Sequence, residues 1–136
     1  AYRQSFSDWV MSNLIQGQQL TLFRDVFYSP ILSSRLVSVV YELFERSATG
    51  LFHVVGDDRI SKYDFGLRLA SVFGLDAGLI SAGSIDDKPT LVMRPHDMSL
   101  SNRKASETLN ISIGGVRDHL LMLQQQSRRL DEVQTT

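Results

Sequence analysis

Three histidines, the carboxylate pairs Asp57-Asp58 and Asp86-Asp87, Ser84 and an arginine ahead of a proline are the residues whose types could do chemistry. His53, His96 and His119 share no metal-ligand spacing, and the chain has no cysteine, so neither a metal centre nor a thiol nucleophile is expected. His53 lies inside the apolar run Leu51–Val55, the setting of a satisfied histidine on a strand. Ser84 lacks the Gly-x-Ser-x-Gly setting of a hydrolase nucleophile. Asp57-Asp58 and Asp86-Asp87 fall in polar turns, where solvated carboxylates are expected rather than an acid/base pair. Asn110-Ile111-Ser112 is a glycosylation sequon by spelling only. Arg94 precedes Pro95 in a stretch, Met93–Leu100, without hydrophobic period. Proline fixes φ and biases its predecessor toward extended backbone, which favours throwing the Arg94 side chain off the loop.

The elements that must position these groups are organised around Gly50–Gly74. Leu51–Val55 is a short apolar run of β-formers and reads as a buried strand. Gly56-Asp57-Asp58 is a turn. Ser61, with Asp64 three residues on, resembles a capping box and opens a helix whose face is Tyr63, Leu67, Leu69, Ala70 and Phe73. Gly74 ends it. A strand feeding a helix through a tight turn is the half-unit of parallel α/β sheets.

Around that centre, Ser5–Gln16 has helical spacing through Phe6, Trp9, Val10 and Leu14, with Ser5 or Ser7 as cap and Gly17 as stop. Leu20–Phe23 is a short strand candidate. Arg24–Ile31 contains Pro30 and reads as a loop or edge segment. Ser33 or Ser34 opens a helix to about Arg46, with Leu36, Val39, Val40, Leu43 and Phe44 on its buried face. Leu79–Ile85 holds one short extended piece. Ser101 or Asn102 caps a helix through Leu109, and a last helix follows Gly114-Gly115 with Val116, Leu120, Leu121 and Leu123 as its stripe. Residues 124–136 are polar and read as a frayed helix end or tail.

The chain has 136 residues, 14 basic and 15 acidic, for a formal net charge of −1. A basic face for nucleic acid and a polybasic membrane patch are therefore not expected. No apolar run approaches a membrane span of about 20 residues. Absence of cysteine fits a reducing cytoplasm, the expected location. The chain opens on Ala-Tyr-Arg-Gln without an initiator Met, so a piece of something longer is expected.

Four stretches occur in a particular order: Asp25-Val-Phe-Tyr-Ser-Pro30 before a helix; Gly50-Leu-Phe-His-Val-Val-Gly56; Ser61-Lys-Tyr-Asp-Phe65 opening a helix; and Arg94-Pro95 ahead of Ser99-Leu-Ser-Asn102 and Lys104. Together they resemble the C-terminal, substrate-binding half of the extended short-chain dehydrogenase/reductases, in particular the dTDP-4-dehydrorhamnose reductase (RmlD-like) family. The likeness covers about residues 6–123, leaving 124–136 as a polar tail. It implies an α/β fold: the C-terminal portion of an extended Rossmann-type reductase, a few short strands with about five helices, lacking the N-terminal dinucleotide-binding half. The family's Gly-rich nucleotide turn does not occur here. Its Tyr-x-x-x-Lys pair does not either, because Tyr2, Tyr28, Tyr41 and Tyr63 are followed four residues on by Phe6, Leu32, Glu45 and Leu67.

What the resemblance implies is a nucleotide-sugar-binding part of an NAD(P)-dependent reductase or epimerase in polysaccharide biosynthesis, inactive by itself. This piece would hold no cofactor and no catalytic residue; NAD(P)H would belong to the full-length protein. Expected partners are a nucleotide-sugar substrate, the missing cofactor domain and a second copy in a homo-oligomer. Arg94 is implied at the substrate phosphates, where a guanidinium fork suits paired oxygens; the alternative is a loop clamp pairing with Asp97 or a carbonyl. Asp25, Tyr28 and Ser29 are implied in the substrate loop, with a plain structural turn as the alternative. Val26 and Ile31 stand where the family pattern carries Gln and Thr. A second function class stays open: a non-catalytic interaction module, as in the regulatory subunit of methionine adenosyltransferase, which shares the fold.

Overall fold

The structure is a computed structural model and describes residues 4–88 and 95–134. Among the described residues, five α-helices and four short strands form two compact units, each assembled from two separated segments. One unit comprises residues 1–28 and 60–98, the other residues 29–59 and 99–136.

The first unit is built on a parallel pair of strands. Strand β1 (Leu20–Phe23) runs beside β4 (Ile80–Gly83), with Leu20 opposite Ile80 and Phe23 opposite Gly83. Helix α3 (Lys62–Phe73) packs on this pair. The approach is close at Gly66: a Cβ there would stand 2.3 Å from Leu22 Cδ1, so that side-chain end would have to shift. Helix α1 (Phe6–Ile15) packs on α3 and β1, and Val10, Leu22, Leu69, Ala70 and Ile80 form the buried centre. A second, antiparallel pair joins β2 (Phe27–Tyr28) to β3 (Ile60–Ser61).

Both helices of this unit start on the same device. Ser5 Oγ accepts the Asp8 N–H at 3.2 Å while its hydroxyl donates to the Asp8 carboxylate at 2.6 Å. Ser61 Oγ accepts the Asp64 N–H at 3.0 Å and donates to the Asp64 carboxylate at 2.7 Å. Each pair satisfies an orphan N–H and places a carboxylate at the positive helix end. Gly74 ends α3 in the left-handed region at φ 66°, as its position suggests.

The second unit is helical: α2 (Ser33–Glu45), α4 (Arg103–Leu109) and α5 (Val116–Gln134). Val39, Leu43, Ala105, Leu109 and Ile113 form one buried cluster, with Phe52 and Val54 packed against it.

Several expectations are corrected here. Leu51–Val55 is not a strand. Its burial alternates: Phe52 and Val54 are half-buried, and Leu51 and His53 are exposed. Among the described residues no strand lies alongside it, and β-forming residues cannot make a ladder without a partner. The strand leading into α3 is instead the two-residue β3, and it is antiparallel. Helix α2 does open at Ser33 and end before Arg46 as expected, without a side-chain cap. On its expected buried face, Val40 and Phe44 are 49% and 76% exposed, because the core touches only the Val39–Leu43 side. Asn102 stands at the N-cap of α4, one of the two expected positions, but its amide goes to Val55 O and to Asp57, while Ser101 Oγ accepts the Arg103 N–H at 3.4 Å. Helix α5 runs on to Gln134, so of the two readings of the C-terminal stretch the helix end holds through that residue.

Candidate functional site

The described residues of the first unit enclose a cleft of about 640 Å³. Phe6 and Trp9 contribute one aromatic wall, the β1 residues Thr21–Phe23 another, and Val26, Lys62 and Met98 complete it. The aromatic wall is a consequence of helix geometry: Phe6 and Trp9 are three residues apart on α1 and share a face. Their rings stack with centroids 6.1 Å apart. Phe6 also meets Phe65 at 5.8 Å and Tyr28 edge-on at 6.3 Å.

Lys62 is the charged member of this site. It is the first residue of α3, and its Nζ lies 3.3 Å from the Tyr28 ring centroid and 4.4 Å from that of Phe6. These are cation–π contacts. Burial pushes the ammonium down to about 8 from its ordinary value. Burial likewise raises the Tyr28 phenol, whose hydroxyl has no hydrogen-bond partner among the described residues.

The implied site residues separate in the structure. Asp25 accepts the Ser84 hydroxyl and, at 3.1 Å, the Ile85 N–H, which ties the end of β1 to the end of β4. The Ser84 hydrogen bond holds its carboxyl below the ordinary carboxylate value, against the opposing effect of burial. Tyr28 is the aromatic lid on Lys62. Ser29 belongs to the second unit, where its hydroxyl donates to Leu100 O at 3.2 Å and accepts Leu100 N–H at 3.3 Å. That pins Ser29 beside Ser99, Ser101 and Asn102 in a polar cleft of about 350 Å³ that Arg59 also lines. Arg94 lies outside the described residues.

His96 was legible only as an isolated histidine. Its Nε2 is 3.3 Å from Asp86 and its Nδ1 4.0 Å from Asp25. Asp25, Asp86 and His96 are the described group whose ligand atoms, all within 4.8 Å, could hold a metal ion; Asp86 and His96 are exposed. His119 is buried and hydrogen-bonds through Nε2 to Ile113 O at 3.0 Å, a structural role.

Asp57 and Asp58 lie in a turn as expected, Asp57 exposed, and both also anchor neighbouring segments. Asp57 accepts from Asn102 Nδ2 at 2.6 Å, Ser112 Oγ at 2.9 Å and the Gly114 N–H at 3.1 Å. Asp58 accepts the Val116 N–H at 2.8 Å, capping α5 from a distant turn. Lys62 and the Phe6–Trp9 wall were missed as site residues. One signal was present: a cation at the first position of a helix opposes the macrodipole, a local inconsistency that functional sites tolerate.

The sequence pattern of the RmlD substrate binding domain matches residues 1–128. The chain belongs to the RmlD substrate binding domain family. It is 29% identical over 119 residues to the probable low-salt glycan biosynthesis reductase Agl14 of Haloferax volcanii, covering 88% of this chain and 40% of that protein. Among solved structures it resembles a hypothetical dTDP-4-dehydrorhamnose reductase from Sulfolobus tokodaii, with a TM-score of 0.71 and 29% identity over 84% of this chain and 40% of the other. The dTDP-4-dehydrorhamnose reductase of Bacillus anthracis, solved in complex with NADP, superposes with a TM-score of 0.78 over 88% of this chain and 42% of the other; at 15% identity it shows the fold. The chain thus spans about two-fifths of the length of these family members. The expected α/β reductase fold is confirmed, with its five helices and few short strands.

Proposed function

We propose that this chain is the substrate-binding part of an NAD(P)-dependent sugar-nucleotide reductase acting in glycan biosynthesis. Hydride transfer would use a nicotinamide and a proton donor on residues outside these 136. The observation that carries the reading is the cleft in the first unit. Its volume falls in the range of small-ligand sites, and its stacked Phe6 and Trp9 offer an aromatic face to a nucleobase. Arg94 is proposed at the substrate phosphates, on the sequence argument alone.

Trp9 is the sole tryptophan and lines the cleft, so it reports occupancy directly. Thymidine 5′-diphosphate should quench its fluorescence saturably, while NADPH should not bind this chain. Saturable NADPH binding, with no response to the thymidine nucleotide, would reject the assignment.

A second reading, a non-catalytic interaction module, draws support from α2. Val37, Tyr41 and Phe44 follow one another at helical spacing and are 67%, 62% and 76% exposed. Retained affinity for a protein partner in a longer form that has lost nucleotide-sugar binding would favour this second reading.

A further inference from the structure

We propose that Lys62 anchors an anion-binding subsite in the first unit's cleft, receiving a phosphate or carboxylate of a ligand that carries an aromatic or sugar body. The inference depends on the sugar-nucleotide reading only for the identity of that ligand.

The geometry is that of a cation without a counter-charge among the described residues. Lys62 lines the cleft, and its ammonium rests on the faces of Tyr28 and Phe6. Among the described residues no carboxylate or carbonyl takes its protons. A half-buried charge without an ionic partner is costly, and ring faces compensate only part of the lost hydration. The neighbouring elements offer nothing better. On α1 the acidic group is Asp8, already bonded by Ser5. On β2 it is the Tyr28 phenol, held neutral by burial. On α3 itself Asp64 is bonded by Ser61, and Tyr63 and Arg68 supply no anion. The helix start does not replace the lysine either. The Asp64 N–H is taken by Ser61 Oγ, and the Lys62 N–H donates to Val26 O at 3.0 Å. Among the described residues, the positive charge this cleft offers a ligand is therefore the Lys62 side chain.

An anion seated there would form its ion pair in a partly desolvated site and hold the proton on Lys62. Binding should take up a proton at pH values above about 8, where the empty site is largely neutral. Affinity for an anionic ligand should fall about tenfold per pH unit there. A neutral analogue of the same body should show no such slope.

The test uses the whole chain. Thymidine 5′-diphosphate, thymidine and inorganic pyrophosphate are titrated at pH 7 and 9, with Trp9 fluorescence and calorimetry in two buffers of different ionisation enthalpy. Acetylation of Lys62 by acetic anhydride, mapped by peptide mass, is followed with and without each probe. The diphosphate should bind at least about tenfold more tightly than thymidine at pH 7 and lose that advantage at pH 9. Lys62→Met should remove both the advantage and the slope. Lys62→Arg should keep the advantage without the slope. Because pyrophosphate alone should protect Lys62, the subsite stands even if the nucleoside adds nothing, an outcome that would reject the nucleotide reading instead. Thymidine diphosphate bound equally by wild type and Lys62→Met, with Lys62 acetylated at the same rate, would overturn the subsite and leave the nucleotide reading intact. No protection and no binding by any probe would overturn both.

Discussion

Gly56 packs directly under Pro30: a Cβ at Gly56 would stand 2.1 Å from the Pro30 carbonyl oxygen. The obstacle is backbone, which cannot swing aside as a side-chain end can. Gly56→Ala should therefore destabilise the second unit by about 3 kcal/mol, the upper part of the range for overpacking. Urea unfolding followed by circular dichroism measures it, and a loss under about 0.5 kcal/mol would mean that the Pro30 loop moves freely.

The same turn carries an acid-sensitive anchor. Burial pushes the Asp57 carboxyl up, but hydrogen bonds from Asn102, Ser112 and the Gly114 N–H outweigh it, leaving its folded value below the ordinary 3.8. A depressed carboxyl contributes stability that is complete above the unfolded value and is lost as pH falls through the folded one. Wild type should thus lose stability below about pH 4 more steeply than Asp57→Asn, which should be less stable at pH 7. Parallel pH profiles for the two proteins would show that Asp57 is not the anchor.

Asp25 has a structural role that isotope exchange can see. Its carboxylate holds the Ser84 hydroxyl and the Ile85 N–H at the open end of the β1–β4 pair. Asp25→Ala should accelerate exchange at the Ile85 amide by about tenfold or more while Leu22 and Leu69 amides stay protected. Unchanged exchange at Ile85 would return Asp25 to the ligand-contact role.

Exposed apolar side chains on the second unit point to self-association of the chain by itself. Tyr41, Phe44 and Leu51 are 62%, 76% and 77% exposed, with Val37 beside them on α2. Sedimentation should show concentration-dependent dimers or larger species, and Tyr41→Lys with Phe44→Glu should shift them toward monomer. A clean monomer over a hundredfold concentration range, in wild type, would contradict this.

The helices were readable in the sequence because their signals are local. Ser61 with Asp64, Gly74, and the spacing of Val10 and Leu14 or Val39 and Leu43 all act within a turn or two of their own positions. Leu51–Val55 failed because a strand is defined by its neighbour, and composition does not name one. The site failed for the same reason. Asp25 and His96 meet across 71 positions, and the Lys62 ammonium owes its surroundings to Tyr28 and Phe6 from two other elements. Resemblance supplied Asp25, Tyr28 and Ser29 as one loop; the fold sends their side chains to three different environments.

Each unit is stitched from two stretches, residues 1–28 with 60–98 and residues 29–59 with 99–136. A growing polypeptide therefore cannot finish either one in the order in which it leaves the ribosome. The β1 strand must wait for β4, and α2 must wait for α4, each about 60 residues later in synthesis. Until then Leu20, Leu22, Val39 and Leu43 lack the partners that bury them in the finished fold. Nascent chains halted between Phe73 and Ile80 should remain sensitive to protease in both units, and emergence of residues 99–136 should bring protection to the helical unit abruptly rather than by degrees.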